Sequence, residues 1–578
     1  MSQFELHCEE PFTGSIAVTE QEDQIWIEVT AQTDTPAPMN IRLSWYEDDI
    51  RSHVSYSPIE YIGKQILPNW AGNKCSMGVA GAPFYCMMDS KDQNRLSVAC
   101  SDALNPVFIS IGLEEETAAF SCYVNMITDY PVSNYKATVL VDKRNLPFYQ
   151  VTEDVAKWWE TLPGYTPAKV PEAAKRPYYS TWYSFHQNTD ADEILKELAY
   201  AKELGCTAVI VDDGWQCSNS FRGYDYCGDW EPFAGKIPDM KAFVDGAHAL
   251  GMKFLLWYSV PFIGRCANCR SAFQGKMLSD EKGVLDPRYP ENRDFLKNTY
   301  IKAVQDWGLD GFKLDFIDSF PCHYPDTETS STAPGKDYTS VHQAVDVLFK
   351  DILSSLRTLN PDILIEFRQS YIGPLMRTYG NIFRASDCPN DSRMNRMSTL
   401  SLRHLSGNTA VHSDMIMWNP KETAEEAAFQ FTNILFSVPQ ISVRHDYLPE
   451  DHRQMLRFYT KFWSQHRHTL LDGKMFYKDY HANYTYVSST DEKCTVGVLY
   501  SNVPAPITND SPEIVLVNAT MMTELVLDVK QDLENKHIQI LNCMGQVVAE
   551  DSRTIFRGYH SINIPVNGMA VYRSSKKR

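Results

Sequence analysis

The feature that most constrains this chain is a strand–loop–helix unit that recurs eight times between about residues 178 and 470. The runs "YYSTWY", "TAVIVDD", "GMKFLLWYS", "GFKLDF", "DILIEF", "NIFRASD", "TAVHSD" and "QISV" are short and nearly continuously apolar, with helical stretches between them. Strands of that kind are buried on both faces, as in a parallel sheet, and the helices supply the crossovers. The helix "ADEILKELAYAKELG" illustrates the period: Ile194, Leu195, Leu198 and Ala201 share a face, and Gly205 stops it. Eight such units predict a (β/α)8 TIM barrel. A doubly wound open sheet is the alternative, but no glycine-rich phosphate fingerprint follows the first strand.

The flanks read differently. Residues 1–165 alternate runs such as "GSIAVTE", "QIWIEVTAQ", "MNIRLSWYE" and "KATVLVDKR" with turn clusters, which predicts an N-terminal β-sandwich. The proline-rich "PGYTPAKVPEAAKRP" (163–177) leads into a barrel domain spanning 166–470. From 471 to 578 the strands return, in "YTYVSS", "CTVGVLYS", "EIVLVNAT" and "GMAVYR", predicting a small antiparallel β-sandwich. A length of 578 residues exceeds one core, in keeping with three domains.

Net charge of −19 disfavours nucleic acid and anionic membranes as partners. No apolar run reaches the roughly 18 residues of a membrane span, and "MSQFELHCEE" has no leader pattern. The 14 cysteines are scattered, so free thiols in a reducing cytoplasm are expected. "CANC" (266–269) has zinc-like spacing without a second pair, so neither a metal nor a cofactor is expected. Aromatic residues make up 12% of the chain, which suits carbohydrate faces as well as a large core.

In such a barrel the reacting groups stand at the C-terminal ends of the strands. Here those ends carry Trp182 and Tyr183, Asp212 and Asp213, Trp257, Lys313 and Asp315, Glu366 and Arg368, Arg384 and Asp387, and His412 and Asp414. One Asp after a strand is commonly a helix cap; carboxylates at one end of successive strands are a mouth. Retaining glycoside hydrolysis needs two carboxyl groups about 5–5.5 Å apart, one as nucleophile and one as acid and then base. Period two places Lys313 and Asp315 on one strand face, where the lysine would keep Asp315 ionised as the nucleophile. Asp387 is the expected acid/base, protonated at rest, with Asp391 in reserve. The turn "VDDGWQ" offers Asp212 and Asp213 to neighbouring sugar hydroxyls; its Trp215, with Trp257 and Trp182 from other strand ends, could provide apolar walls.

These residues in this order resemble the α-galactosidases of glycoside hydrolase family 36 and, more distantly, family 27. The likeness runs through "YYSTWYSFHQNTD", "ELGCTAVIVDDGWQ", "GDWEPFAGKIPDM", "GMKFLLWYS", "LDPRYPENRDFL", "DGFKLDF" and "RASD", and fits the three-part layout. It implies Asp315 as nucleophile, Asp387 as acid/base, and Asp212 and Asp213 on the galactose 4- and 6-hydroxyls. Lys313 and Trp257 match sugar-contacting positions, and Trp70 in "PNWAGN" resembles an N-terminal-domain Trp that reaches the barrel mouth. By position alone, Glu366, Arg368, His412 and Asp414 are expected at the rim, and Arg384 is a further candidate for substrate binding.

The chain departs from the family at three places: "KLDFID" for the usual "KWDMNR", "WYSVPF" for "WxxPE", and "IEFRQSYIG" for a glycine- and cysteine-rich motif after the fifth strand. The expected activity is that of a retaining exo-α-galactosidase acting on terminal α-linked galactose, with a carbohydrate partner and no metal. A different glycone (N-acetylgalactosamine or a modified galactose) is one alternative, and a catalytically inactive sugar-binding barrel is another. Related enzymes are often oligomeric, which makes a homo-oligomer with the N-terminal sandwich as contact surface a further expectation.

Overall fold

The computed structural model describes residues 4–58, 60–218, 221–320 and 334–574. Its centre is an eight-stranded parallel sheet: β1 (Tyr178–Ser180), β2 (Ala208–Val211), β3 (Lys253–Ser259), β4 (Gly311–Asp315), β5 (Leu364–Arg368), β6 (Ile382–Arg384), β7 (Ala410–His412) and β8 (Gln440–Ile441). Each strand pairs with the next from β1 to β7, and β8 pairs with β1. A parallel bridge between His412 and Val438 closes the ring from β7 toward β8. The molecule is thus a TIM barrel with flanking β-domains.

The strands are buried because nearly every residue is apolar: "AVIV" of β2 and "IFR" of β6 are buried throughout. The helices face them with one stripe. In Val341–Leu359, Val345, Leu348, Phe349, Ile352 and Leu356 are buried at helical spacing, each contributing about 1.5–3 kcal/mol by leaving water. Several of these helices start on side-chain caps. Asp190, Asp239, Ser340 and Asp391 each accept from the backbone N–H three residues on, and Thr423 forms a capping box with Glu426.

The N-terminal part is a sandwich of a five- and a six-stranded antiparallel sheet. Gln24–Ala37 shows why: Ile25, Ile27, Val29 and Ala31 alternate inward against Ile41, Leu43, Val124 and Val139. The C-terminal part has a seven- and a three-stranded sheet. Most pairing there is antiparallel as expected, but Cys494–Leu499 pairs in parallel with Glu513–Asn518, and Ala505–Ile507 with Glu524–Val529. The chain crosses to the smaller sheet at Ala505–Ile507 before returning, so the flanking strands of the larger sheet run the same way.

One aromatic cluster joins the three parts. Phe148 lies 5.5 Å from Tyr56, 5.0 Å from His404 and 5.2 Å from Tyr480 between ring centroids. The sandwich also supports the barrel mouth, since the Gly81 N–H donates to Ser370 O at 2.8 Å in the loop after β5. Among the described residues, no helix is long and apolar enough to cross a membrane.

Candidate active site

Asp315 ends β4 and is buried. Phe316 follows in the left-handed region at φ 60°, a conformation that costs a side chain about 1–3 kcal/mol and persists only when its surroundings impose it. That turn aims the Phe316 N–H back at Asp315 Oδ1 at 2.8 Å. Arg368 Nε donates to the same oxygen at 2.7 Å, and so does the Tyr371 hydroxyl. Among the described residues, Oδ2 accepts a hydrogen bond from Trp257 Nε1 alone, at 3.1 Å. Oδ1 is therefore saturated, and Oδ2 keeps lone-pair capacity to attack. Burial would raise this carboxyl, but Arg368 and Lys313, with the Tyr371 and Trp257 donors, outweigh it and hold it well below the usual carboxylate range.

Arg368, and not Lys313, is the direct ionic partner of Asp315. Lys313 Nζ pairs with Asp212 Oδ2 at 2.5 Å and acts on Asp315 at longer range. The reason lies in the register: Lys313 stands one layer below Asp315 on β4, level with the buried ends of its neighbours. Burial opposes the lysine's charge, yet Asp212 raises its pKa on balance.

The "DDGW" turn is tightly bonded. Asp212 Oδ1 accepts from the Asp213 N–H at 2.9 Å, while Asp213 holds Gln187 on one oxygen and Gln216 Nε2 on the other at 2.7 Å. Burial pushes Asp213 up to about 6. Gly214 is required here: its φ is +112°, and a Cβ would lie 2.5 Å from Gln187 Cα. Gly214→Ala must displace Gln187, so a loss of more than about 1 kcal/mol and a raised KM are expected, measured by denaturation and by initial rates.

Arg384 is the hub of the β6 side. Its guanidinium reaches Asp414 Oδ1 at 2.6 Å, Asp387 Oδ1 at 2.8 Å and Glu366 Oε1 at 3.6 Å. Burial opposes its charge, and the carboxylates Asp387, Asp414 and Glu366 outweigh burial. Asp387 is the open member, its side chain 53% exposed. Its concave setting raises its carboxyl, but the Arg384 charge prevails and holds it below the ordinary range. The expectation of a proton-bearing Asp387 at rest is thus corrected: in the free protein Arg384 keeps it ionised.

Other expected site residues also move. Trp215 is fully buried, donates to Trp257 O at 3.0 Å and packs on Trp230, Tyr258 and Trp307, so it is core behind the wall. Trp257 is buried too and serves Asp315 through its N–H; Trp182, tilted against His186 with ring centroids 3.9 Å apart, is the more open indole. Arg384 and Asp414 are not rim groups. Asp414 is fully enclosed, taking Tyr183 OH at 2.9 Å and the Cys388 N–H at 2.7 Å on the oxygen that Arg384 leaves free. Asp391 caps the helix Ser392–Leu405 through the Met394 N–H and is no reserve acid. Trp70 stands 76% exposed on the sandwich, and no ring contact or hydrogen bond among the described residues ties it to the mouth.

Sequence reasoning missed Tyr371 and Gln187 as functional partners, and placed Tyr183 at a strand end without its partner Asp414. Tyr371 lies in "RQSYIG", and its hydroxyl donates to Asp315 Oδ1. Glu366, fully buried beneath Arg384, is pushed up by burial to about 7. A carboxyl raised on folding stabilises below its unfolded pKa and loses that contribution as pH rises through the folded value. Glu366→Gln is therefore expected to gain stability relative to the natural chain as pH rises through about 7, read as a widening difference in thermal midpoint.

No family model matches the chain. Over 209 residues it is 25% identical to the alpha-galactosidase Mel36A of Lactobacillus acidophilus, a stretch covering 34% of this chain and 28% of that protein. Over 186 residues it is 24% identical to the A type blood alpha-D-galactosamine galactosaminidase of Flavonifractor plautii, covering 28% of this chain and 16% of the relative. The matched stretches thus span less than a third of either relative's length. In three dimensions the chain is similar to a variant of the GH36 alpha-galactosidase AgaA from Geobacillus stearothermophilus in complex with 1-deoxygalactonojirimycin. The TM-score is 0.67 at 13% identity, over 98% of this chain and 81% of that one. The chain carries the fold of the family 36 α-galactosidases.

Proposed function

We propose that this chain is a retaining, exo-acting glycoside hydrolase that removes terminal α-linked galactose by double displacement. The observation that carries the reading is the asymmetry at Asp315. One oxygen is locked by Arg368, Tyr371 and the Phe316 N–H, and the other is left to attack, two strands from an open carboxyl on Asp387. Asp315 Oδ2 attacks C1 while Asp387 protonates the leaving oxygen; Asp387 then takes a proton from water as water attacks the glycosyl-enzyme. Entry of a neutral sugar strips water from Asp387 and so favours the protonated form that the first step needs. Galactose is supported by the alpha-galactosidase of Lactobacillus acidophilus among the relatives and by the 1-deoxygalactonojirimycin bound in the AgaA complex.

A second reading keeps the chemistry and changes the glycone to N-acetylgalactosamine. It is favoured by the galactosaminidase relative and by the segment "IEFRQSYIG", whose Arg368 and Tyr371 reach Asp315 at the mouth. A panel of aryl α-glycosides, with NMR of the first-formed sugar, tests both. Galactose as preferred glycone and the α anomer appearing first are the expected results. Preference for another sugar replaces the substrate, a first-formed β anomer removes the double displacement, and binding without hydrolysis at any pH leaves a sugar-binding barrel. A homo-oligomer through the N-terminal sandwich and a reducing, cytoplasmic setting for the free thiols belong to the same reading.

A further inference from the structure

Away from the barrel mouth, three side chains of metal-ligating type converge where the barrel's last helix meets the C-terminal domain. His466 comes from the helix Glu450–Asp472, Cys494 from the start of the strand Cys494–Leu499, and Glu513 from the start of Glu513–Asn518. Cys494 and Glu513 are register partners on adjacent parallel strands, so their side chains leave the sheet side by side. One donor atom from each of the three lies within 4.8 Å of the others, the only such group among the described residues. Cys494 is buried, and the other two are half-buried.

The tautomer of His466 makes this more than a cluster. Its Nδ1 lies 3.0 Å from Phe462 O, and a carbonyl can only accept, so Nδ1 carries the proton. In the neutral ring Nε2 then turns its lone pair on Glu513 Oε2, 3.1 Å away. Two acceptors facing each other require a proton or a cation between them. A second ring proton would supply it as an ion pair, with the Cys494 thiol hydrogen-bonded to Glu513 beside it. A divalent ion would use all three donors. The ring N–H bonded to a backbone carbonyl is the arrangement that orients metal-bound histidines. Arg573 Nε, at 2.8 Å on Glu513 Oε1, fixes the carboxylate from its far side and leaves Oε2 directed inward.

We propose that His466, Cys494 and Glu513 form a binding site for a zinc-class divalent cation that fastens the barrel's last helix to the C-terminal domain. One nitrogen, one sulfur and one oxygen suit a borderline-soft ion, with water as the fourth ligand. Binding displaces the thiol proton into solvent, and the thiolate and carboxylate together balance the ion's two charges.

The test uses the full chain, stripped with chelator and then loaded with Zn2+ or Co2+. One equivalent of metal should survive desalting, Co2+ should give a near-ultraviolet thiolate charge-transfer band, and added Zn2+ should raise the thermal midpoint. Cys494→Ser keeps the His466–Glu513 pair intact; it should abolish the band and weaken Zn2+ binding by roughly tenfold or more. His466→Asn should do the same should the serine variant fail to fold, and thermal midpoints in chelator show whether either change harms the fold by itself. Cys266→Ser, in the exposed "CANC" segment, should leave the band unchanged. Failure to retain metal, a band that survives Cys494→Ser, or one that is lost in Cys266→Ser would overturn the proposal; the first outcome leaves a proton as the bridging charge.

Discussion

Asp315→Gly is expected to lower kcat/KM on an aryl α-galactoside by roughly 10⁴-fold or more, about 5.4 kcal/mol of transition-state stabilisation. The variant removes the attacking oxygen and keeps its surroundings. Arg368, Tyr371, Trp257 and the Phe316 N–H then line an empty slot that suits a small anion. Azide should enter it and restore turnover of a substrate with a good leaving group, giving the β-galactosyl azide, because attack comes from the nucleophile's side. Asp387→Ala should give the opposite product. Its glycosyl-enzyme still forms from an activated substrate, and azide then attacks from the acid/base side to yield the α-galactosyl azide. Should both variants give the same anomer, or should Asp315→Gly retain full activity, the two roles are misassigned.

Arg384→Met is expected to have the largest effect on stability. It leaves Asp414 and Glu366 buried without their cation, and breaking a buried pair by removing one partner costs about 3–5 kcal/mol. Denaturant unfolding measures this directly. The same variant should alter the pH dependence of kcat/KM. In the natural chain Arg384 holds Asp387 below its ordinary value, so the acid form proposed for the first step is expected to be lost early as pH rises, and the basic limb to lie low. Without the guanidinium, the Asp387 carboxyl rises and the basic limb should move up by roughly one pH unit. Arg384→Lys, which keeps a charge in place, should leave the limb closer to that of the natural chain. A basic limb that stays put in Arg384→Met would separate Asp387 from the titration and from the acid role.

The strand runs, the period-two face shared by Lys313 and Asp315, and the excess of polar groups at one end of successive strands were legible in sequence, because burial on both faces demands continuous apolar strands and catalysis demands exceptions at one end. The ionic partnerships were not. A residue's partner depends on which side chains meet across strands at a given height, and that is a property of register and barrel closure. Lys313 chose Asp212, Arg368 chose Asp315, and Arg384 drew in Asp387, Asp414 and Glu366 together. The aromatic residues show the same divide: Trp215, Trp257 and Trp182 look alike in sequence, yet depth alone makes the first core, the second a hydrogen-bond donor to Asp315 and the third an open face. The sequence by itself determined the barrel and which of its ends would gather the charged and polar groups, since both follow from the pattern of apolar and polar residues along the chain. Only the tertiary structure decided which carboxylate is held ionised and by which cation, because that depends on distances between residues brought together from far along the chain.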